Sequence, residues 1–366
     1  MKVILISPDA KNLIGGIVNW TRYIVRYHQR HGQDVDLRLL SNDDAVGLYG
    51  TGSAIKRLIV GARNYLPIYR RFTKMVKEER YDLVHMSSSG SLGLIRDSLI
   101  IRAAHKNGLK TVIHLHFGRI PQVLQSSSWE KRLLLFVLNR VDSIIVMDMA
   151  SYNALKNAGF YNVNYLPNPL SPDVQELIGQ LHPTKKDSRK IVFAGHITAA
   201  KGVFELVRAC KSIHNVKLEL LGYVKDQEVL QKLYDIAGDN AESWLSIPGN
   251  KSQAEVIESM LECSIFALPS YSEGFPNVVL ESMACGCPII ATPVGAIPEM
   301  LNINGENPCG ICISPKNVKE LHDAIVGLLD NQSLANTLGM NACLRVHEKY
   351  SMEKIWNELV HIWQTV

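Results

Sequence analysis

Two carboxylates stand eight positions apart in "SEGFPNVVLESMACGCPIIAT" (272–292): Glu273, ahead of a Gly, a Phe and a Pro, and Glu281, inside an apolar run. Residues 270–275 are rich in Ser, Gly and Pro neighbours and read as loop. Pro276 suits the first position of a helix, where its missing N–H costs nothing. Residues 277–285 carry helix formers and an apolar stripe of Val278, Leu280, Met283 and Ala284. Gly286 and Pro288 end that helix, and "PIIAT" reads as a buried strand. A helix start offers free N–H groups and the positive end of its dipole to an anion. Glu273 flanks the start, and Glu281 leans back toward it from about one and a half turns in. A ligand with a phosphate centre and hydroxyls at both ends uses all three features, and a nucleotide sugar is such a ligand. The competing reading is a surface loop and helix bearing two solvated glutamates, the usual state of a glutamate.

Other stretches carry chemistry of the same kind. Gly15-Gly16 in "SPDAKNLIGGIVNW" follows a first strand and precedes a helix, so backbone there can approach a phosphate. It is not the G-x-G-x-x-G fingerprint, and no acidic residue closes the second strand, which disfavours a nicotinamide dehydrogenase. "AGHITAAKG" (194–202) sets His196 and Lys201 between Gly195 and Gly202 at another strand-to-helix turn, where a Lys can neutralise phosphate or simply be solvated. In "IHLHFGR" (113–119), His114 and His116 alternate and are expected on opposite faces, one packed beside the sheet, the other near Gly118 and a cleft. No carboxylate cluster supports a metal at this H-x-H. Asp34-Val35-Asp36 matches D-x-D formally but reads as a strand boundary. Cys285, Cys287, Cys309 and Cys312 lack a histidine at zinc-finger spacing and read as small buried residues rather than ligands. No metal is expected.

The elements that must hold these residues alternate. Strand-like runs begin at Val3, Val35, Leu83, Thr111 and Ser143, with helical stretches between them such as 17–31, and a second series begins at Lys190, Val216, Ser264 and Pro288. This alternation means parallel sheets wrapped by helices. Prolines 167, 169, 172 and 183 with a charged end make 166–190 the best linker. The expected organisation is α/β with two doubly wound Rossmann-like domains facing a cleft: 1–168, a linker over 169–189, 190–349, and a last amphipathic helix over 350–366. Ligands of such sheets bind outside the strand carboxyl ends. The chain has 366 residues, 46% hydrophobic and 20% charged, ample for two globular domains. Residues 1–168 hold 23 Lys and Arg against 12 Asp and Glu, a balance of +11, and residues 169–366 balance at −7. Halves of opposite sign imply different partners. Seven cysteines, an odd number, argue for a reducing compartment. The longest apolar run, "LLLFVLNRVDSIIVM" (133–147), is broken by Asn139, Arg140 and Asp142, so no membrane span is expected. The start "MKVILISPD" reads as a strand, not a signal peptide.

Taken together, these stretches resemble the retaining glycosyltransferases of family 4, the group 1 type with the GT-B fold. The resemblance covers nearly the whole chain and is strongest over 190–301, where "PSYSEGFPNVVLESMACGCPIIATPVGAIPEM" is similar to that family's E-x7-E region. "GGI" resembles its N-terminal glycine pair, "HLHFG" the strand end carrying its active-site His, aligned with His116, and "AGHITAAKG" its G-R-x4-K-G stretch. The resemblance implies that Glu281 binds the donor ribose and Glu273 the transferred sugar. It implies that Gly15, Gly16, Lys201, His196 and the backbone of Gly274, Phe275, Pro276 and Asn277 hold the diphosphate, and that Asn250 lies near the base. His116, Glu273 and Lys201 then serve the reacting centre. His196 stands where the family usually has Arg, a permanent charge with a fork of donors, which shifts weight onto Lys201.

What the resemblance implies is transfer of a sugar, with retention, from a UDP- or GDP-sugar to a saccharide or lipid-linked saccharide in surface polysaccharide or glycolipid synthesis. It needs no metal or other cofactor, because cationic side chains and helix dipoles stabilise the leaving diphosphate. The alternatives are a nucleotide-sugar epimerase of the same fold and a non-catalytic sugar-nucleotide-binding subunit. The protein is expected in the cytoplasm without a nucleic-acid partner. One stretch, "SAIKRLIVGARNYLPIYRRFTKMVKEER" (53–80, from Ser53 to Arg80), mixes basic and apolar residues in a way that suits an anionic membrane surface. The rival reading packs its apolar residues on the sheet and leaves its charges solvated.

Overall fold

The computed structural model describes residues 1–9, 15–32, 34–42, 54–181, 187 and 189–366, those of 54–64 without their side chains. Lys56, Arg57, Leu58, Ile59, Val60 and Arg63 of the basic stretch, with Ser53, therefore lie outside the described side chains, as do residues 10–14 ahead of the glycine pair and much of the expected linker. The chain divides into two compact units, Met1–Pro169 with Met352–Val366, and Leu170–Ser351.

The first unit is built on a six-stranded sheet of order β2-β1-β3-β4-β5-β6: β1 (Lys2–Ser7), β2 (Asp36–Ser41), β3 (Leu83–Ser88), β4 (Lys110–Leu115), β5 (Ser143–Val146) and β6 (Val163–Tyr165). Every pairing is parallel. Parallel strands are covered on both faces, which is why "VILI" (3–6) and "IIV" (144–146) are continuously apolar rather than alternating. The helices are α1 (Gly16–His31), α2 (Ala54–Glu78), α3 (Gly93–Lys106), α4 (Ile120–Gln125), α5 (Trp129–Leu138) and α6 (Met149–Asn157). One face of the sheet packs Ile4, Val84, Ile113 and Ile144 against Ile68 and Phe72 of α2, Ile100 of α3 and Leu134 of α5. The other packs Val3, Leu5, Leu83 and Val112 against Trp20 and Ile24 of α1 and against Ile355, Leu359 and Trp363 of the last helix. D-x-D resolves as a strand boundary: β2 opens at Asp36, whose carboxylate meets Lys2 at 3.3 Å and Arg38 at 3.0 Å.

The second unit opens with α7 (Pro172–Gln180), inside the stretch expected as linker. Its proline pattern concealed a helix start: Ser171 caps Val174 N–H with its hydroxyl, and Pro172 takes the first helical position. The sheet, of order β12-β11-β10-β7-β8-β9, consists of β7 (Lys190–Ala194), β8 (Lys217–Leu221), β9 (Leu245–Gly249), β10 (Ile265–Leu268), β11 (Ile289–Ala291) and β12 (Gly310–Cys312), again parallel. Around it run α8 (Val203–Cys210), α9 (Gln227–Ala237), α10 (Gln253–Glu262), α11 (Asn277–Ala284), α12 (Ile297–Met300), α13 (Val318–Asp330) and α14 (Gln332–Lys349). The last helix, α15 (Met352–Thr365), returns to the first unit.

Candidate functional site

In the second sheet the chain steps from β7 to β8 and β9 on one side, then crosses to β10 on the other. The strand order reverses between β7 and β10, and in open α/β sheets such a switch point is the expected ligand crevice, at the strand carboxyl ends. It lies between "AGHITAAKG" and "PSYSEG". The two loops are fastened to each other. Tyr271 N–H donates to Ala200 O at 2.9 Å, and Tyr271 hydroxyl donates to Glu205 Oε2 at 2.7 Å. Gly202 has φ 70, and a Cβ there would stand 2.1 Å from Pro269 O, so only glycine permits this approach. Across the seam Lys201 Nζ donates to Glu273 Oε1 at 2.6 Å, with side chains 27% and 10% exposed. The cation and one of the two glutamates read from the sequence are thus a single ion pair.

Glu273 leads into α11. Gly274 O accepts from Ala296 N–H at 2.8 Å, and Phe275 is buried with its ring edge-on to Tyr350 at 6.0 Å. Phe275 anchors the loop through its ring. Pro276 corrects the sequence reading. It caps the helix from an extended conformation (φ −76, ψ 102) rather than occupying its first turn, because its carbonyl already accepts from Val279 N–H at 2.9 Å. Asn277 is the first helical residue. Glu281 is partly exposed, yet burial pushes its carboxyl up to about 7, offset in part by a side-chain hydrogen bond with Gln253 of α10. His196 and Asn250 are exposed beyond the carboxyl ends of β7 and β9, with His196 edge-on to Tyr223 at 6.5 Å. The strand ends beneath them are close: Gly222 N–H donates to Gly249 O at 3.0 Å and Gly195 N–H to Leu221 O at 2.9 Å. Lys201 and Glu273 are joined directly, whereas Glu281 is tied to α10.

In the first unit Gly15 and Gly16 open α1, with Asn19 N–H donating to Gly15 O at 3.0 Å. A Cβ at either would meet no described atom within 4 Å, so packing gives no reason for the pair and close approach of a ligand remains one. His114 and His116 do not face opposite ways. Residues two apart in a strand share a face, and β4 ends at Leu115, so His116 continues the same side with its N–H on Ser88 O at 2.9 Å. The rings lie 3.8 Å apart, centroid to centroid, and both meet Trp20 edge-on, at 4.9 and 5.1 Å. His85 of β3 joins them 5.5 Å from His114. Burial pushes His85 and His116 down to about 3 and His114 well below its ordinary value, so all three are neutral imidazoles.

Two sets of residues escaped the sequence reading. Glu130 accepts from Ser91 N–H and hydroxyl and from both terminal nitrogens of Arg119, at 2.6–3.0 Å, fixing the loops after β3 and β4; these bonds, Arg119's chief among them, hold its carboxyl below the usual range against the opposing effect of burial. Nothing local in "SGSL" or "SWEK" signals it, since the partners come from separate loops. The second set is Trp20, His85 and Trp363, for the same reason. All seven cysteines are thiols, with the Cys263 and Cys287 sulfurs 3.7 Å apart. Among the described residues, no group of three or more His, Cys, Asp or Glu is arranged to hold a metal ion.

Comparison with known proteins follows the division of the chain. Residues 174–345 match the family model of glycosyl transferases group 1, and residues 14–174 that of glycosyltransferase family 4. An uncharacterized glycosyltransferase of Methanocaldococcus jannaschii is 28% identical over 286 residues, 78% of this chain and 76% of that protein. The capsular polysaccharide biosynthesis glycosyltransferase CapM of Staphylococcus aureus is 29% identical over 229 residues, 61% of this chain and 58% of its own length. The crystal structure of Anabaena HepE in complex with UDP superposes with a TM-score of 0.74 over the full length of both chains at 18% identity, a likeness of fold.

Proposed function

The chain belongs to the group 1 glycosyltransferases of family 4, with the GT-B fold, and from that premise we propose that it moves a sugar, with retention and without a metal, from a nucleoside diphosphate sugar to a saccharide or lipid-linked acceptor. The observation that carries the reading is the Lys201–Glu273 pair at the switch point of the second sheet, beside the helix that bears Glu281. Lys201 supplies the charge for a diphosphate, and the start of α11 supplies backbone N–H groups. Once a phosphate draws Lys201 away, Glu273 is free to accept from hydroxyls of the transferred sugar. Glu281 accepts from the ribose. His116, being neutral, offers the donor sugar a hydrogen bond rather than a charge. The UDP held by the Anabaena neighbour and the capsular polysaccharide that the Staphylococcus relative is named for support a uridine donor and a surface polysaccharide product.

The reading extends to a lipid surface, in changed form. Of the side chains described in the basic stretch, Ile68 and Phe72 are core residues and Tyr69 and Met75 pack against the same core, so these side chains face the sheet. The exposed apolar residues of the same helix layer are Leu66 on α2, Leu99 on α3, and Trp129 and Phe136 on α5. Among them stand exposed Arg70, Arg102, Arg132 and Arg140, the last with its guanidinium 3.7 Å from the Phe136 ring centroid. Aromatic and basic side chains in one layer suit an anionic bilayer.

A thermal-shift screen of nucleoside diphosphate sugars tests the donor assignment, since a ligand of the folded state raises its melting temperature. One nucleotide series should stabilise the wild type and fail to stabilise Glu281→Ala, while Glu273→Ala should keep the nucleotide shift and lose turnover. Wild-type kinetics in both folded variants would remove the site from the second unit. Donor consumed in the absence of any acceptor would instead mark an epimerase.

A further inference from the structure

The face of the first sheet beneath α1 and α15 changes character along its strands. Val3 and Leu83 lie toward the amino ends, His85 and Val112 level with each other further along, and Ser7, Ser87 and His114 toward the carboxyl ends. Polar atoms without a hydrogen-bond partner gather there among the described residues: Trp20 Nε1, His85 Nε2, both ring nitrogens of His114, and His116 Nε2. Buried polar atoms are seldom left so, and a concentration of them calls for a role.

One ring nitrogen of the group is engaged. Trp363 Nε1 of α15 donates to His85 Nδ1 at 3.0 Å, both groups buried. An indole nitrogen can only donate, so Nδ1 of His85 is the bare acceptor and its single proton sits on Nε2. From His85 a line of contacts runs to the end of β4. The His85 ring stacks on Trp20 at 5.5 Å and 21°, and meets His114 edge-on at 5.5 Å and 72°. His114 lies edge-on to Trp20, and the His116 ring lies on His114 at 3.8 Å and 33°. Close-packed rings of this kind transmit a change in tilt or proton position to the next ring. A Trp placed only for packing would not need its N–H on an imidazole, and a His placed only for packing is a costly filler for a dry core.

We propose that Trp363 and His85 are positioning residues for His116: the C-terminal helix fixes the tautomer of His85, and the His114 ring carries that orientation to His116. The inference rests on the reading of His116 as the residue that meets the donor sugar.

The test uses the full-length chain with 15N-labelled histidine. In the wild type, His85 should show its proton on Nε2. Trp363→Phe keeps an aromatic ring and removes the donor. It should give a mixed His85 tautomer and displaced His116 ring resonances, and lower kcat by about fivefold or more with donor KM within about twofold. His85→Asn, whose carboxamide oxygen can accept from Trp363 Nε1 in place of Nδ1, should keep more turnover than His85→Leu at similar melting temperature. A wild-type His85 protonated on Nδ1 would overturn the proposal. So would a folded Trp363→Phe with unchanged His116 resonances and kcat. Failure of the wild type to turn over any donor would remove the functional reading alone, and the histidine resonances would still decide the positioning.

Discussion

At the scale of single residues, Glu281 holds an unusual position for the carboxylate proposed to bind ribose, because burial pushes it from an ordinary 4.5 up to about 7. The fold favours its neutral form. Its contribution to stability is therefore full below pH 4.5 and lost as pH rises through 7, where the buried carboxylate ionises. Ribose hydroxyls donating to that carboxylate favour the ionised form, so nucleotide binding and the unliganded fold pull in opposite directions. Glu281→Gln should raise the melting temperature of the unliganded protein at pH 8 but not at pH 4.5. It should also weaken nucleotide binding by about 1.5–3 kcal/mol, the worth of a hydrogen bond to a charged group. Melting curves at the two pH values and calorimetric titration with UDP measure both. An equal shift in melting temperature at both pH values would mean that the carboxyl titrates normally.

At the scale of elements, the site depends on two loops that touch through a glycine. Gly202→Ala would set a methyl group 2.1 Å from Pro269 O at φ 70, so the loops after β7 and β10 must part. The expected cost is about 2 kcal/mol or more in urea unfolding, with weaker donor binding as Lys201 and Glu273 separate. A loss under about 0.5 kcal/mol would show the seam to be compliant. This seam also marks where the sequence ceased to be legible. Glu273, Gly274 and Glu281 could be read locally, since one loop–helix–strand unit carries them with its own turn and period signals. That Lys201 and Glu273 form one pair could not, because 72 positions separate them and sheet order has no local signature. The three-residue strands β6 and β12 lack the β-branched apolar run that made the equally short β11 legible, and α7 was masked by the prolines around it. The histidines were visible as types, but their shared face requires the strand's period of two to be applied to 114 and 116, and the end of β4 to be known.

At the scale of the whole molecule, the +11 balance of residues 1–168 is a long-range property that no single side chain explains. It predicts retention on vesicles containing phosphatidylserine at low salt and release as salt rises, since charges are screened over about 8 Å at physiological ionic strength. Replacing Trp129 and Phe136 with Ser should reduce retention without altering nucleotide binding. Equal partitioning onto neutral and anionic vesicles, or none onto either, would leave the exposed layer without a lipid partner. The return of α15 has a different consequence, which concerns synthesis. Trp363 closes on His85 across 278 positions, whereas Leu170–Ser351 is one continuous stretch. Domains commonly fold as they leave the ribosome. Here the half translated first is completed last: the nascent chain must carry Trp20, Leu83 and the histidine layer under α1 but without α15 until residues 352–366 emerge, while the unit translated after it can already close.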